Sequence, residues 1–402
     1  MQTLLNPPAP PRVGRRTGFA AAGLALAVTM LGTTLPTPLY ALYRARFGLS
    51  ELTITVIFAT YAAGVIAALL FLGRLSDQIG RRPVLLAGLI LSALSAVTFL
   101  AADGLALLIL GRILSGLSAG IFTGTATAAL VDLATSQRRA RATLVAAIAT
   151  MGGLGCGPLL AGALSEWAGS PLRLTFWADL ALLVPAAIGI WAMPEPVAAV
   201  RRSSLRPQPL AVPAEMRASF VPAALAGFAG FAVLGLFSAL APAFLDQEIG
   251  VTNRAVVGLV VFAVFAASTI GQAMLPLVPA GLAMPAGCLA LVAGMGLLAL
   301  GLALPALVPL VLGGVIAGLG QGLTFRAGLT TVNASAPPEQ RAEIASSFFV
   351  VMYLAISVPV VGEGVLAQAV SLRAAGLAFA AVVAGLSAVL AAQSGRRRPA
   401  SG

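Results

Sequence analysis

Three ionisable side chains fall deep inside long apolar stretches: Arg112, Arg326 and Glu363. A charge is costly to carry into such a setting, so residues of this kind are by default candidates for binding a proton, an ion or an oppositely charged solute. Glu363 is the candidate protonatable carboxylate, unless it lies near enough to the end of its stretch to be wet and inert. Arg112 suits proton coupling or solute contact, against the alternative of a buried tie to backbone carbonyls. Arg326 suits solute contact, against the alternative of snorkelling to the nearer membrane surface. Asp179 lies close to the end of its apolar stretch and reads as a solvated or capping residue. Other chemistries are excluded by composition. The chain has no histidine, and its 24 basic residues are all arginine. Cys156 and Cys288 have no companions at ligand spacing, so no metal site, disulfide framework or bound cofactor is expected. Clustered catalytic groups and an ATP-binding loop are also missing, which argues against an enzyme or an ATP-driven pump.

The elements that position these groups follow from hydropathy. Of 402 residues, 59% are apolar and 9% charged, and the mean hydropathy is +1.00. A soluble domain could not cover that surface. At roughly 20 apolar residues per crossing plus a loop, the length accommodates about twelve membrane helices. Continuous rather than alternating apolar runs exclude a strand barrel. The uncharged stretches predict spans near 17–42, 52–73, 83–102, 104–131, 142–165 and 174–193, then 218–245, 255–276, 282–303, 306–332, 344–368 and 374–394. Between Arg254 and Arg326 no charge marks the loops, and the boundaries rest on Pro276, Pro279, Pro285, Pro305 and Pro309.

Among the loop arginines, only Arg44, Arg46, Arg173, Arg254 and Arg373 fall on one side of the membrane, and the rest collect on the other with both termini. The excess of positive charge marks the cytoplasmic side, so topology, not nucleic acid, accounts for the net charge of +11. The expected organisation is a tail at 1–16, a first six-helix bundle at 17–194, a linker at 195–217, a second bundle at 218–394 and a tail at 395–402. The two halves repeat at a constant offset of 202. Gly111, Gly116, Leu117, Gly120, Arg139 and Ala140 meet Gly313, Gly318, Leu319, Gly322, Arg341 and Ala342; Gly48 meets Gly250, and Pro83 meets Pro285. A parallel duplication of this sort is one of the known transporter architectures.

Three motifs sharpen the reading. Gly73-Arg-Leu-Ser-Asp77-Gln-Ile-Gly80-Arg81-Arg-Pro83 forms a tight basic hairpin after the second span, and its spacing resembles motif A of the major facilitator superfamily. Arg112-Ile-Leu-Ser-Gly116 in span four resembles motif B, and Gly153-Leu-Gly-Cys-Gly157-Pro158-Leu-Leu-Ala-Gly162 in span five resembles motif C. With the spans and the central loop, the resemblance covers essentially the whole chain. It implies an all-α membrane protein of twelve helices in two pseudo-symmetric six-helix bundles. It also implies a cytoplasmic gate built from Gly73, Asp77, Gly80, Arg81 and Asp132, with Asp132 as the acid partner of Arg81, that holds the outward-open state. Motif C is associated in this superfamily with antiporters, especially proton-driven drug exporters. Physically, Gly153, Gly157 and Gly162 allow close helix approach, and Pro158 removes a backbone hydrogen bond so that span five can bend.

Thr33, Thr37 and Tyr40 form a polar stripe at i, i+4 and i+7 beside Pro36 and Pro38, a candidate cavity face unless the threonines bond back to their own helix. Gln321 in span ten and the Phe348-Phe349 and Met352-Tyr353 pairs in span eleven are candidate cavity contacts. One departure from the resembled exporters stands out: span one has no acid with which to bind cationic compounds. Two membrane arginines suit an anionic or neutral substrate instead. The expectation is a proton-coupled antiporter of the inner membrane, exporting small amphipathic compounds by alternating access. Glu363 and Arg112 would couple protons, and Arg326, Gln321, Thr33, Thr37 and Tyr40 would contact substrate. The alternative is a proton symporter importing an organic anion or metabolite. The expected partners are a small molecule, protons and the lipid bilayer, with the protein acting as a monomer.

Overall fold

The structure is a computed structural model, and it describes residues 14–73, 75–197, 210, 212–337 and 340–396. The expected N-terminal tail up to residue 13, the linker at 198–209 and 211, and the C-terminal tail beyond 396 lie outside the described residues. Every regular element among the described residues is helical. Among the described residues, twelve helices are long and apolar enough to cross a membrane: α1 (Arg15–Phe47), α2 (Glu51–Leu72), α3 (Arg81–Leu100), α4 (Leu105–Leu133), α5 (Arg139–Trp167), α6 (Pro171–Ala192), α7 (Ala214–Ala239), α8 (Arg254–Leu277), α9 (Gly281–Ala303), α10 (Leu307–Ser335), α11 (Glu343–Ala369) and α12 (Leu372–Ser394). Large apolar side chains such as Ile90, Ile188, Val358 and Val382 stay exposed on the outer surface. That arrangement belongs to a protein whose solvent is hydrocarbon.

Local sequence sets the interruptions. In α1, Pro36 and Pro38 turn the chain into a 3-10 segment, Thr37–Leu39, before the helix resumes at Tyr40. The expected seventh span reached residue 245, but α7 ends at Ala239. Pro242 follows in a three-residue helical turn, and a π-type segment, Phe244–Glu248, carries the chain to the next loop. Gly48 and Gly250 both take left-handed backbone (φ 64° and 79°) and turn α1 into α2 and α7 toward α8, a conformation that L side chains resist.

The sequence repeat is visible as packing. Gly116 and Gly120 set α4 against the backbone of α2 at Tyr61 and Val65, and the equivalent Gly318 and Gly322 set α10 against that of α8 at Val264 and Ser268. A methyl group at any of the four would meet backbone oxygen, so only glycine permits these approaches. The two bundles meet through α2 against α11 and α5 against α8. Under the repeat α2 corresponds to α8 and α5 to α11, so the two contacts are each other's image.

Helix α5 lies between α1 and α8. Gly153 and Gly157 admit the backbone of α1, whereas Gly162 admits Arg254 and Gly258 of α8. Pro158 has no N–H to give, which frees the carbonyl of Leu154 one turn earlier. The Thr34 hydroxyl of α1 donates to that carbonyl at 2.7 Å. Thr34→Val keeps the shape and removes the donor. It should destabilise the protein by about 1 kcal/mol, within the range measured for interhelical hydrogen bonds in membranes, read as a lowered melting temperature in lipid nanodiscs. An unchanged melting temperature would show that α5 does not depend on this bond.

Candidate functional site

Arg112 enters the protein interior from α4 and is 2% exposed. Its guanidinium donates to the carbonyl of Thr33 at 2.5 Å and to that of Phe58 at 3.4 Å. The cation also lies 4.7 Å from the ring centre of Tyr61 and 5.3 Å from that of Phe58. Carbonyl dipoles and π faces thus replace water around the charge, tying α4 to α1 and α2. The Nε of Arg112 has no partner among the described residues.

Below Arg112 lies a narrow cavity of about 50 Å³, lined among others by Thr33, Phe58, Tyr61, Phe231, Phe265 and Tyr353. Thr123, Thr150, Met151 and Phe349 also line a second cavity of about 190 Å³, which continues the first toward the face carrying Arg15 and Ser394, the terminal face. Thr127, Thr143, Gln272, Thr330 and Asn333 supply its polar groups, and Arg326 its one charge. Thr143 and Thr330 at its rim are exposed, so the path opens at the terminal face.

The predicted residues divide by this geometry. Arg112, Thr33 and Arg326 line the cavities, as do Phe349 and Tyr353. The Thr33 hydroxyl bonds back to Met30 at 2.7 Å, while its carbonyl holds Arg112. Thr37 is buried in the 3-10 turn, and Tyr40 lines a small void at the opposite face. Gln321 does not line either cavity. It is fully buried, with its oxygen accepting from Ser268 of α8 at 2.5 Å, because Gly230 of α7 leaves room for its stem. Phe348 and Met352 pack in the interior.

Glu363 is 4% exposed, and neither carboxyl oxygen has a hydrogen-bond partner among the described residues. Its neighbour Gly364 backs onto Thr55 of α2, and Val360 and Ile356 on the same helix pack on Gly235 of α7. Glu363 and Arg112 are therefore not joined, since the arginine is spent on carbonyls. Asp179 departs from its expected solvated position: it is 3% exposed, because α6 packs closely on α1 and brings the carboxylate against Gly32.

At the terminal face, Arg81 meets Asp77 at 2.5 Å, Asp132 at 3.1 Å and the hydroxyl of Ser76 at 2.7 Å. Sequence reasoning missed a further acid here. Glu195, past the end of α6, accepts from the backbone N–H groups of Arg81 and Arg82 at 2.8 and 2.9 Å, capping α3. Gly80, with φ 103°, leaves the space that this carboxylate occupies.

The opposite face is sealed between the bundles, which sequence reasoning also missed. Glu51 pairs with Arg44 in its own bundle and accepts from Gln247 of the other at 2.7 Å. Arg44 also approaches Asp246 at 3.9 Å. Beside Gly162, Glu166 of α5 accepts the backbone N–H of Arg254 at 2.9 Å, and the Arg254 guanidinium donates to the Ser165 carbonyl at 3.2 Å. A run of Arg44, Glu51, Asp246, Gln247 and Glu248 beside two left-handed glycines was the available signal. The two bundles are thus closed at one face and parted at the other.

Comparison with known proteins agrees with this architecture. Residues 18–358 match the Major Facilitator Superfamily model, and the chain belongs to that family of membrane transporters. Multidrug resistance protein MdtL of Escherichia coli is 38% identical over 92 residues, 23% of this chain and 24% of the relative. Its counterpart in Shewanella oneidensis is 34% identical over 96 residues, 24% of each. The chain thus spans about a quarter of the length of these curated relatives. Among solved structures, a bacterial homologue of the human lysosomal transporter Spinster, inward-facing and unoccupied, superposes with a TM-score of 0.72 at 16% identity, over 96% of this chain and 99% of that one. A peptide transporter, POT, superposes with a TM-score of 0.76 at 15% identity, over 96% and 97%. At such identities the likeness is one of fold.

Replacing Glu51 by Ala removes the acceptor shared by Arg44 and Gln247. A cysteine at Ala239, buried beneath the seal, should then react about fivefold faster with a membrane-impermeant maleimide applied to the opposite face, as loss of ~1 kcal/mol would give. An unchanged rate would place the seal elsewhere.

Proposed function

We propose that this transporter is a proton-coupled antiporter that exports small amphipathic compounds by alternating access. The observation that carries the reading is the pairing of one seal with one opening: bonds between the bundles close the path at one face, and a polar and aromatic cavity runs from Arg112 to the other. Rocking the bundles about the α5–α8 and α2–α11 contacts would exchange the two. The division into bundles at 17–194 and 218–394, with 195–217 as the linker between them, belongs to the same reading. So does a monomer, since the cavity lies within one chain.

The excess of arginine at the terminal face supports a cytoplasmic location for both termini in the inner membrane, which makes the open face the cytoplasmic one. Asp77, Gly80, Arg81 and Asp132, with Gly73 at the hairpin, would then regulate closure on that side. Glu363 is assigned the proton. It lies on α11, a helix of the second bundle that packs on α2 of the first, and a charge there has no partner to offset its lost hydration. Ionisation would therefore favour a conformation in which water reaches it, and the seal must loosen for that. Export is supported by motif C, by the cavity's exposure to the cytoplasmic side and by the partial similarity to proteins named for multidrug resistance. The competing reading, uptake of an organic anion with protons, draws on the arginines of the cavity.

Glu363→Gln should abolish uphill transport driven by a proton gradient in proteoliposomes while leaving substrate counterflow without a gradient largely intact. Full coupled transport by this variant would remove Glu363 from the mechanism. Coupled accumulation in the direction of the protons would favour the symporter.

A further inference from the structure

Arg326 is half-buried in the wall of the larger cavity, and its guanidinium has neither a hydrogen bond nor an ion pair among the described residues. The other charge on the path, Arg112, is already held by two carbonyls and two rings. No aspartate or glutamate lines either cavity. The carboxylates of Glu363 and Asp179 are packed into the bundle away from it. The path from midplane to opening thus carries two positive charges and, among the described residues, no carboxylate, so an organic cation entering it would find aromatic and polar surface but no counter-ion.

The space beside Arg326 is also shaped for a small molecule with an apolar body. At about 190 Å³ it lies below the usual ~300–1,000 Å³ of pockets for drug-sized ligands. Phe349 of α11, Phe325 of α10 and Met151 of α5 supply apolar surface, and Thr123, Thr150 and Asn333 supply hydroxyl and amide groups around it. Phe325 and Phe349 pack on each other at 6.1 Å and 60°, and both rings line the cavity as aromatic surface.

We propose that the substrate is a small aromatic or similarly apolar monoanion whose acidic head pairs with Arg326 and whose body lies against Phe325, Phe349 and Met151. This rests on the reading of the cavity as the substrate site of a carrier. A planar guanidinium with free N–H groups matches a carboxylate in a two-point pair, so Arg326 acts as the residue that selects charge. Substrate and proton then occupy different groups, and their coupling runs through the seal rather than through competition for one carboxylate.

The test uses the full chain in nanodiscs of zwitterionic phosphatidylcholine, so that no net anionic lipid competes at the rim. Binding of radiolabelled benzoate, salicylate and 1-naphthoate is measured by equilibrium dialysis beside the size-matched cations benzylamine and 1-naphthylmethylamine. Saturable binding of at least one anion, weakening with added salt, is expected, with no saturable binding of the cations. Arg326→Gln should lower anion affinity by about tenfold or more, Arg326→Lys should restore part of it, and Arg326→Glu should favour the amines. Melting curves of the variants guard against misfolding. The proposal is overturned if amines bind as well as acids, if no anion of the set binds, or if Arg326→Gln binds as the parent does. Proton coupling is scored separately in proteoliposomes. Anion binding without proton-driven flux would sink the antiport reading alone, whereas proton-driven flux of an amine would sink the anion assignment alone.

Discussion

A charge within a hydrocarbon layer must be neutralised, hydrated or surrounded by fixed dipoles. Four ionisable groups within the bundles, Arg112, Arg326, Glu363 and Asp179, meet that demand in different ways. Arg112 is surrounded by the carbonyls of Thr33 and Phe58 and the faces of Phe58 and Tyr61, so its charge holds three helices together. Arg326 faces the cavity, where water or a solute can reach it. Glu363 and Asp179 have neither recourse among the described residues: both are buried, Glu363 with both oxygens unpartnered and Asp179 with one. An arrangement that leaves acids dry and one base wet favours a particular protonation state and a particular sign of ligand.

Part of the contact between the bundles is made through backbone and glycine. At Gly162 and Gly258, α5 and α8 meet without intervening side chains, which gives a contact that can roll. Polar bonds between the bundles are concentrated at the opposite face, around Glu51 and Glu166, with one at the midplane where Tyr353 lies 3.4 Å from Thr123. Carboxylates near the membrane surface are neither deeply buried nor fully hydrated, so each pair contributes modestly and can be broken in turn. That is the energetic character expected of a gate rather than of a permanent seam.

Much of this was legible in the sequence because the bilayer enforces simple rules. Apolar run length gave twelve helices, and the repeat at Gly116 and Gly318 reappears as the same packing in both halves. For Arg112 the carbonyl tie that the sequence offered only as the alternative to proton coupling or solute contact is the one seen. Contacts made at a distance were not legible. Glu195 reads as the start of a linker and becomes a helix cap only when α6 returns beside α3. Asp179 reads as a helix-end residue and is buried because Gly32 lets α6 close on α1. Gln321 reads as a cavity residue, but its face of α10 is fixed by a gap at Gly230 that no spacing rule reveals. The seal escaped because its residues are ordinary surface charges until two loops meet.

If the proton on Glu363 governs the seal, as proposed, the distance across the opposite face must change with pH. Spin labels at Asp103 and Val370, both exposed loop positions, would be placed in a background with Cys156 and Cys288 replaced by Ala and read by pulsed double-resonance spectroscopy in nanodiscs. A carboxyl that is dry when the seal is closed favours the closed state while it holds its proton, so closure is complete at low pH and lost as pH rises. Short distances are expected in acid and a growing population of long distances in base, whereas Glu363→Gln is expected to give one mixed distribution that does not change with pH. A parent distance distribution that ignores pH, or one that shifts equally in the glutamine variant, would contradict the proposal.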